Sequence, residues 1–361
     1  MLHHAELQKI LGKIKPIDKK WIEKARLRTA QLVMPTRALG RLHDISERLC
    51  AIQKILEPSM KHKTILVFAG DHGVVDEGVS AYPQEITGAM VQTFLKNGAG
   101  INAISRHVGA EVVVVDMGII PELDSSSLDG GERLLIRKIS KGTKNIAKGP
   151  AMTRQAAVRA IITGFQVATD LFNKQGVDIL GSGDMGIGNT TPSAAIGTVI
   201  TGTSLQEMVG RGTGVDDQGL TKKREVIRRG IQVNQPDAKD GVDVLSKVGG
   251  FEIGGIAGCI LAGAFHNRPV VIDGFISTAG ALVAYTLCPH VTDYLFAGHC
   301  SEEPGHNAML NHLGLKPILD LGMRLGEGTG GALAMGIMEA AVRVFNDVLT
   351  FEEVFGEPHR P

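Results

Sequence analysis

The chain has 361 residues, enough for one large domain or two ordinary ones with a sizeable core. Hydrophobic residues make up 43% and charged residues 21%, and 38 Lys and Arg balance 38 Asp and Glu, so bulk charge argues for neither a nucleic-acid nor a membrane-surface partner. Cys50, Cys259, Cys288 and Cys300 are widely spaced without a CxxC pair, which excludes a zinc or disulfide framework and favours a reduced, cytoplasmic setting.

The N-terminus, Met1-Leu-His-His-Ala-Glu6, has no basic region and no apolar stretch, so it reads as lacking a signal peptide. Residues 1–61 are charged and helical in period: Trp21, Ala25 and Leu32, then Leu42, Ile45, Leu49, Ile52 and Ile55 recur at three- and four-residue steps. The character then changes. Apolar runs at Thr64–Ala69, Glu111–Met117, Val177–Leu180, Pro269–Asp273, Thr292–Ala297 and Pro317–Leu321 each close on glycines and polar groups. Six such runs, mostly without alternation, predict strands buried on both faces, the mark of a parallel sheet. Helical patterns lie between them at 86–108, 154–175, 192–202, 253–266 and 277–288. The 253–265 stretch is apolar but too short and small in side-chain volume to span a bilayer, so it reads as a buried helix. Segments 121–131 and 234–243 read as linkers, and 331–353 as helical.

The expected fold class is α/β: a Rossmann-like parallel sheet of about six strands with helices on both faces. The expected division is 1–61 and 331–361 as the two parts of a small helical subdomain, and 62–330 as the α/β catalytic domain. Ligands in such folds bind at the carboxyl ends of the strands, where the glycine-rich segments here fall.

Three glycine-rich segments carry chemistry. Gly326-Glu327-Gly328 sets one carboxylate in a loop bordered by apolar sequence, where missing side chains let a ligand come close. A Glu so placed reads as a proton acceptor or ligand anchor; the plain alternative is a solvated turn. Gly181-Ser-Gly-Asp-Met-Gly186, continuing to Thr190, Thr191 and Pro192, follows a strand and opens a helix. Thr190 or Thr191 suits the cap, and the helix N-terminus makes an anion site. The same stretch matches a dinucleotide fingerprint, but the acid about 20 residues on, Glu207, has a helix-like context rather than the end of a second strand. A phosphate monoester, a dinucleotide or a structural turn all remain open for it. The third segment, Val209 to Asp217, is followed by Lys222, Lys223 and Arg224, which either complete a phosphate cradle or form a solvated helix face. Neither glycine loop fits a triphosphate P-loop, and Asp216-Asp217 lacks the strand expected of a pyrophosphate-binding acid pair.

Asp71-His72 lies at a strand end, and His299, Glu302, Glu303 and His306 share one segment. Pro304-Gly305 breaks any helix there and no HExxH occurs, so hydrogen bonding is favoured over metal binding. Cys300 beside His299 has no support as a nucleophile. Ser80, Tyr82 and Gln84 suit a flat, partly apolar ligand, or an ordinary turn with Tyr82 packed down.

Together these motifs resemble one family, the nicotinate-nucleotide–dimethylbenzimidazole phosphoribosyltransferases of cobalamin assembly. The resemblance runs from Phe68 to Ala334 through FAGDHGV (68–74), SAYPQEIT (80–87), GDMGIGNTTPSAA (183–195), GRGTGVDD (210–217), GHCSEEPGH (298–306) and PILDLGMRLGEGTGGALA (317–334). It implies transfer of phosphoribose from nicotinate mononucleotide to 5,6-dimethylbenzimidazole, with inversion at C1′, no cofactor and no metal. It implies Glu327 as general base and Asp184 as a second acid near the ribose, where the family commonly carries Glu. The implied phosphate and ribose contacts are Gly186, Ile187, Gly188, Asn189, Thr190, Gly212, Thr213, Gly214 and Lys223. The implied base contacts are Ser80, Tyr82, Gln84 and Arg324. A homodimer follows from the same resemblance, with the partner bordering the site. Cys300 stands where the family usually has Arg.

Rival readings are a non-catalytic nucleotide or base sensor, an oxidoreductase built on GSGDMG, and a nucleosidase in which Glu327 activates water.

Overall fold

The computed structural model describes residues 2–123 and 133–356. Most of the linker expected at 121–131 lies outside these residues. Seven parallel strands form one sheet: β1 Lys63–Gly70, β2 Ala110–Gly118, β3 Leu134–Ile136, β4 Ile179–Met185, β5 Val270–Ile272, β6 Leu295–Ser301 and β7 Pro317–Met323. Their order is β3-β2-β1-β4-β5-β6-β7, so the chain starts near the middle and works outward in both directions. The α/β class and parallel sheet agree with the sequence reading. The seventh strand is β3, three residues between Arg133 and Arg137 that do not close on a glycine.

Two strands run further than their apolar cores. β4 continues through Gly181-Ser-Gly-Asp-Met185, and β6 through Gly298-His-Cys-Ser301. These glycine and polar residues are therefore sheet residues, not loops beyond the sheet, and Asp184, Met185, His299 and Ser301 among them face the site. Register pairs Phe68 of β1 with Asp184 of β4, while Ile272 of β5 pairs with both Ser182 and Ala297. Asp71, Asp184, Asp273 and His299 thus come to one edge of the sheet.

Helices cover both faces. Gly100–Val108 and Thr329–Asp347 pack together on one; Phe251–His266 and Phe275–Leu287 pack together on the other. The pattern expected as one helix over 86–108 is two, Ile86–Leu95 and Gly100–Val108, separated by Asn97 at positive φ and Gly98. The segments at the two ends of the chain meet: Ala25, Cys50 and Phe345 form a small apolar cluster, and Val33 N donates to Leu349 O at 2.9 Å. Among the described residues no helix is long and apolar enough to cross a membrane.

Phe251–His266 is buried along nearly its whole length, and Arg154–Lys174 packs across it. The crossing is made by glycines. A Cβ at Gly164 would lie 2.0 Å from Gly255 O, and one at Gly258 would lie 1.9 Å from Ile161 O. Such backbone-to-backbone approach leaves no side chain to move aside. Gly258→Ala should therefore destabilise the protein by about 1–3 kcal/mol despite its better helix propensity, the usual cost of overpacking. Urea unfolding reads this directly, and an unchanged midpoint would contradict the close crossing.

Candidate active site

A cavity of about 660 Å³ opens at the carboxyl edge of β4, β5 and β6. Its walls come from the end of β4 and the loop after it, the 212–213 turn, the start of Phe275–Leu287, His299 and Ser301 of β6, and the 324–327 turn. Three helices, Thr190–Thr201, Phe275–Leu287 and Thr329–Asp347, start at this cavity or within two residues of its lining. Their N-terminal partial charges favour an anion. Tyr82, Ile86, Met90, Met185 and Leu325 add apolar surface to the same lining. Such a mixed lining suits a ligand that carries both an anionic group and a flat apolar ring.

Glu327 lies in the wall, 5% exposed. Its backbone sits at φ 62° between Gly326 at 84° and Gly328 at 92°. A left-handed conformation at a non-glycine residue costs of order 1–3 kcal/mol and persists only where the surroundings enforce it. Glu327 Oε2 accepts the amide of Ile101 at 3.0 Å, in the first turn of Gly100–Val108. Oε1 has no hydrogen-bond partner among the described residues. Burial pushes the Glu327 carboxyl above its ordinary value, the Ile101 N–H opposes the shift, and the charge of Asp273 adds to it.

Asp184 also lines the cavity and accepts Asn189 Nδ2 at 2.9 Å. Burial, then the charge of Asp273, pushes its carboxyl up to about 8, against the Asn189 bond. That bond explains a departure from the sequence reading. The helix opened by Thr190 has Asn189 as its N-cap, without a side-chain cap bond: its backbone is helical rather than extended, and its Nδ2 is turned to Asp184; neither Thr190 nor Thr191 is the cap.

The two glycine loops touch. A Cβ at Gly212 would lie 2.7 Å from Thr190 Oγ1 and 3.0 Å from Lys223 Nζ. Lys223 is 1% exposed and donates to Thr190 Oγ1 at 2.7 Å and Gly210 O at 3.2 Å. Lys223 is thus no part of a solvated helix face, although its neighbours Lys222 and Arg224 are not buried. Burial pushes its amine down to about 8, and Glu303 holds it from falling further. Several loop amides are already engaged: Ile187 N by Thr87 Oγ1, Asn189 N by Gly186 O, and Gly212 N by Glu303 Oε1 at 2.9 Å.

Of the residues singled out from sequence, Tyr82, Asp184, Gly186, Ile187, Asn189, Thr190, Gly212, Thr213, Arg324 and Glu327 share the cavity wall. Gly188, Gly214, Lys223, Ser80 and Gln84 do not. Ser80 Oγ lies 3.2 Å from Thr213 Oγ1 and steadies the second loop. Gln84 donates to His72 O and lines a separate hollow. Tyr82 is 54% exposed rather than packed down.

The remaining polar motifs resolve into structural partners. His72 Nε2 faces Glu252 Oε1 at 2.9 Å behind Gly186, and Asp71 accepts Ile120 N at 2.7 Å. His306 accepts Ser301 N and meets Thr278 Oγ1, and burial pushes it down to about 3. Cys300 Sγ contacts Asn307 at 3.2 Å, and burial raises its thiol. Asp216 caps Asp217–Asn234 through Gly219 N. Glu207 sits in the short helix Leu205–Met208, so no second strand carries a ribose-binding acid there. Among the described residues no cluster of three or more His, Cys, Asp and Glu is arranged to hold a metal ion.

His299 and Glu303, singled out from sequence for hydrogen bonding rather than metal binding, also line the wall; sequence reasoning missed the apolar set Ile86, Met90, Met185 and Leu325, and Asp273 behind the wall. Asp273 had a usable signal: like Asp71 it follows an apolar strand and precedes glycine or histidine at the carboxyl edge. The apolar wall had none, because its residues come from distant parts of the chain.

A parallel sheet with an anion-favouring, carboxylate-lined cavity at its carboxyl edge is the frame of a nucleotide-handling enzyme. Comparison narrows this. A family model described as phosphoribosyltransferase matches residues 14–354. The nicotinate-nucleotide–dimethylbenzimidazole phosphoribosyltransferase of Geobacter sulfurreducens is 52% identical over 347 residues, covering 96% of this chain and 97% of the relative. That of Desulforamulus reducens is 51% identical over 349 residues, covering 96% and 97%. The crystal structure of CobT from Thermus thermophilus superposes with a TM-score of 0.87 at 44% identity, covering 93% of this chain and 98% of that one. The chain belongs to the nicotinate-nucleotide–dimethylbenzimidazole phosphoribosyltransferase family and is a pentosyl-transferring enzyme.

The Asp184 carboxyl has a direct consequence for stability. Folding raises its pKa, so its contribution is fully present below the ordinary value of 3.8 and is lost as pH rises to about 8. Asp184→Asn imitates the protonated acid and escapes that loss. The variant should gain stability over the parent as pH rises through this window, and the gain should level off above it. Urea midpoints at about pH 5 and pH 8.5 test this; an equal difference at both would mean that Asp184 ionises as an ordinary surface acid.

Proposed function

We propose that the protein transfers the phosphoribosyl group of nicotinate mononucleotide to 5,6-dimethylbenzimidazole, giving α-ribazole 5′-phosphate and nicotinate. The observation that carries this reading is Glu327: a buried carboxylate with one oxygen fixed on an amide and the other unengaged, set in a lining both apolar and anion-favouring. Relatives named for this reaction cover nearly the whole chain.

In this reading the phosphate rests near the 186–190 and 212–214 loops, with Lys223 supplying charge from behind Thr190. The benzimidazole lies against Tyr82, Ile86, Met90 and Leu325. Glu327 takes the proton from one ring nitrogen as the other attacks C1′ from the face opposite nicotinate. The C1′–pyridinium bond breaks, its electron pair neutralises the pyridinium nitrogen, and the configuration inverts. A raised carboxyl pKa suits a base working near neutral pH. Positive charge develops on the ribose in the transition state, and a nearby carboxylate stabilises it. Asp184 is the second acid beside the ribose. The working unit is a homodimer whose partner borders the cavity, which fits the exposure of Tyr82 and Leu325 in its lining; light scattering at the mass of one 38.3 kDa chain would remove that part of the reading.

Nicotinate release from nicotinate mononucleotide, with and without 5,6-dimethylbenzimidazole and in the presence of a chelator, tests the reaction. Release should require the base and ignore the chelator. Release without any base would make the protein a nucleosidase. Glu327→Gln should lower turnover by roughly 10²–10⁴, the range of a lost general base, and full turnover would remove Glu327 from the chemistry. Lys223→Ala should chiefly raise the KM for nicotinate mononucleotide in steady-state assays; a fall in kcat alone would contradict the phosphate role.

A further inference from the structure

Asp273 follows β5 at the carboxyl edge of the sheet and has no solvent exposure. Both of its oxygens are engaged. Oδ2 accepts Gly328 N at 3.1 Å and Oδ1 accepts Gly331 N at 2.9 Å. These amides open helix Thr329–Asp347, whose N-cap, Gly328, has no side chain to offer. An N-cap side chain ordinarily satisfies an amide two or three residues ahead of it. Here a residue 55 positions earlier in the chain takes over that task.

The transfer matters because of what precedes the helix. The peptide that carries the Gly328 N–H also carries the Glu327 carbonyl, so the Asp273 bond fixes the peptide plane next to Glu327. The Glu327 carbonyl side of that peptide rests on β4, where a Cβ at Gly183 would lie 2.4 Å from Glu327 O. Gly326, Glu327 and Gly328 all hold positive φ, and the two glycines have wide conformational freedom. Without the strand on one side and Asp273 on the other, this turn has many alternatives. His299, itself in the cavity wall, faces Asp273 with Nε2 3.6 Å from Oδ1 and closes the remaining side. Asp273 does not itself line the cavity.

We propose that Asp273 is a positioning residue for the transfer reaction: it holds the 326–328 turn so that the Glu327 carboxylate meets the acceptor base, and it touches neither substrate. This rests on Glu327 being the general base. A residue acting through Glu327 loses its influence once that carboxylate is gone, whereas a merely structural residue lowers activity in either background.

The test compares nicotinate release by the parent, Asp273→Asn, Glu327→Gln and the double variant. Asn keeps the shape of Asp but turns an NH₂ toward one of the two amides. Asp273→Asn should lower kcat by about 10²-fold, the scale of an ångström-sized misplacement, while leaving both KM values nearly unchanged. The double variant should be no slower than Glu327→Gln alone. A parent-like kcat in Asp273→Asn, or a further fall on the Glu327→Gln background, overturns the assignment. Full turnover in Glu327→Gln would instead remove the base on which it rests. Asp273→Ser, which turns no NH₂ toward the two amides, serves the same comparison if the Asn protein does not fold. Failure of both to fold, read by circular dichroism, would make Asp273 a folding residue and overturn the proposal.

Discussion

The site depends on one contact between backbones: the turn at 326–328 lies directly on strand β4. A methyl group at Gly183 would stand 2.4 Å from the Glu327 carbonyl, and one at Gly328 would stand 2.6 Å from Ile65 Cγ2 of β1. Turn and sheet therefore behave as one rigid piece, as close-packed interiors do. The rest follows from that seating. The Glu327 carboxylate reaches the first turn of Gly100–Val108, helix Thr329–Asp347 starts over β5, and the cavity acquires its floor.

Electrostatics in the cavity is a contest between burial and amide dipoles. Burial disfavours every charge there, carboxylates and the Lys223 amine alike. Amide groups and helix N-termini favour anions. For Asp184 burial wins: one bond from Asn189 does not offset it, and the carboxyl is pushed up to about 8. Asp273 contributes to the rise of both Asp184 and Glu327.

The sheet and the glycine turn at 326–328 were legible in the sequence because their physics is local. Parallel strands are buried on both faces, so 64–69 and 111–117 stand out as unbroken apolar runs. The glycines around Glu327 are needed by the turn itself. Strand β3 escaped because Leu134-Leu-Ile136 is hemmed in by Arg133 and Arg137 and does not close on a glycine, whereas the equally short β5 runs into Asp273-Gly274. The ends of β4 and β6 escaped because their glycines look like loop while serving as sheet that must admit another backbone. The cavity's apolar wall escaped for a different reason: Ile86, Met90, Met185 and Leu325 become neighbours only after folding. The role of Asn189 was hidden likewise, since its side chain turns back to Asp184 rather than capping its own helix.

The conformation of Glu327 has an evolutionary consequence. Positive φ and a buried carboxyl are both unfavourable, and glycine at 327 would relieve both at once. On the proposed reading of Glu327 as the base, selection for turnover keeps a glutamate there against a standing pressure for stability. A copy of this chain released from that selection would drift toward three successive glycines at 326–328, becoming sturdier as it lost its chemistry.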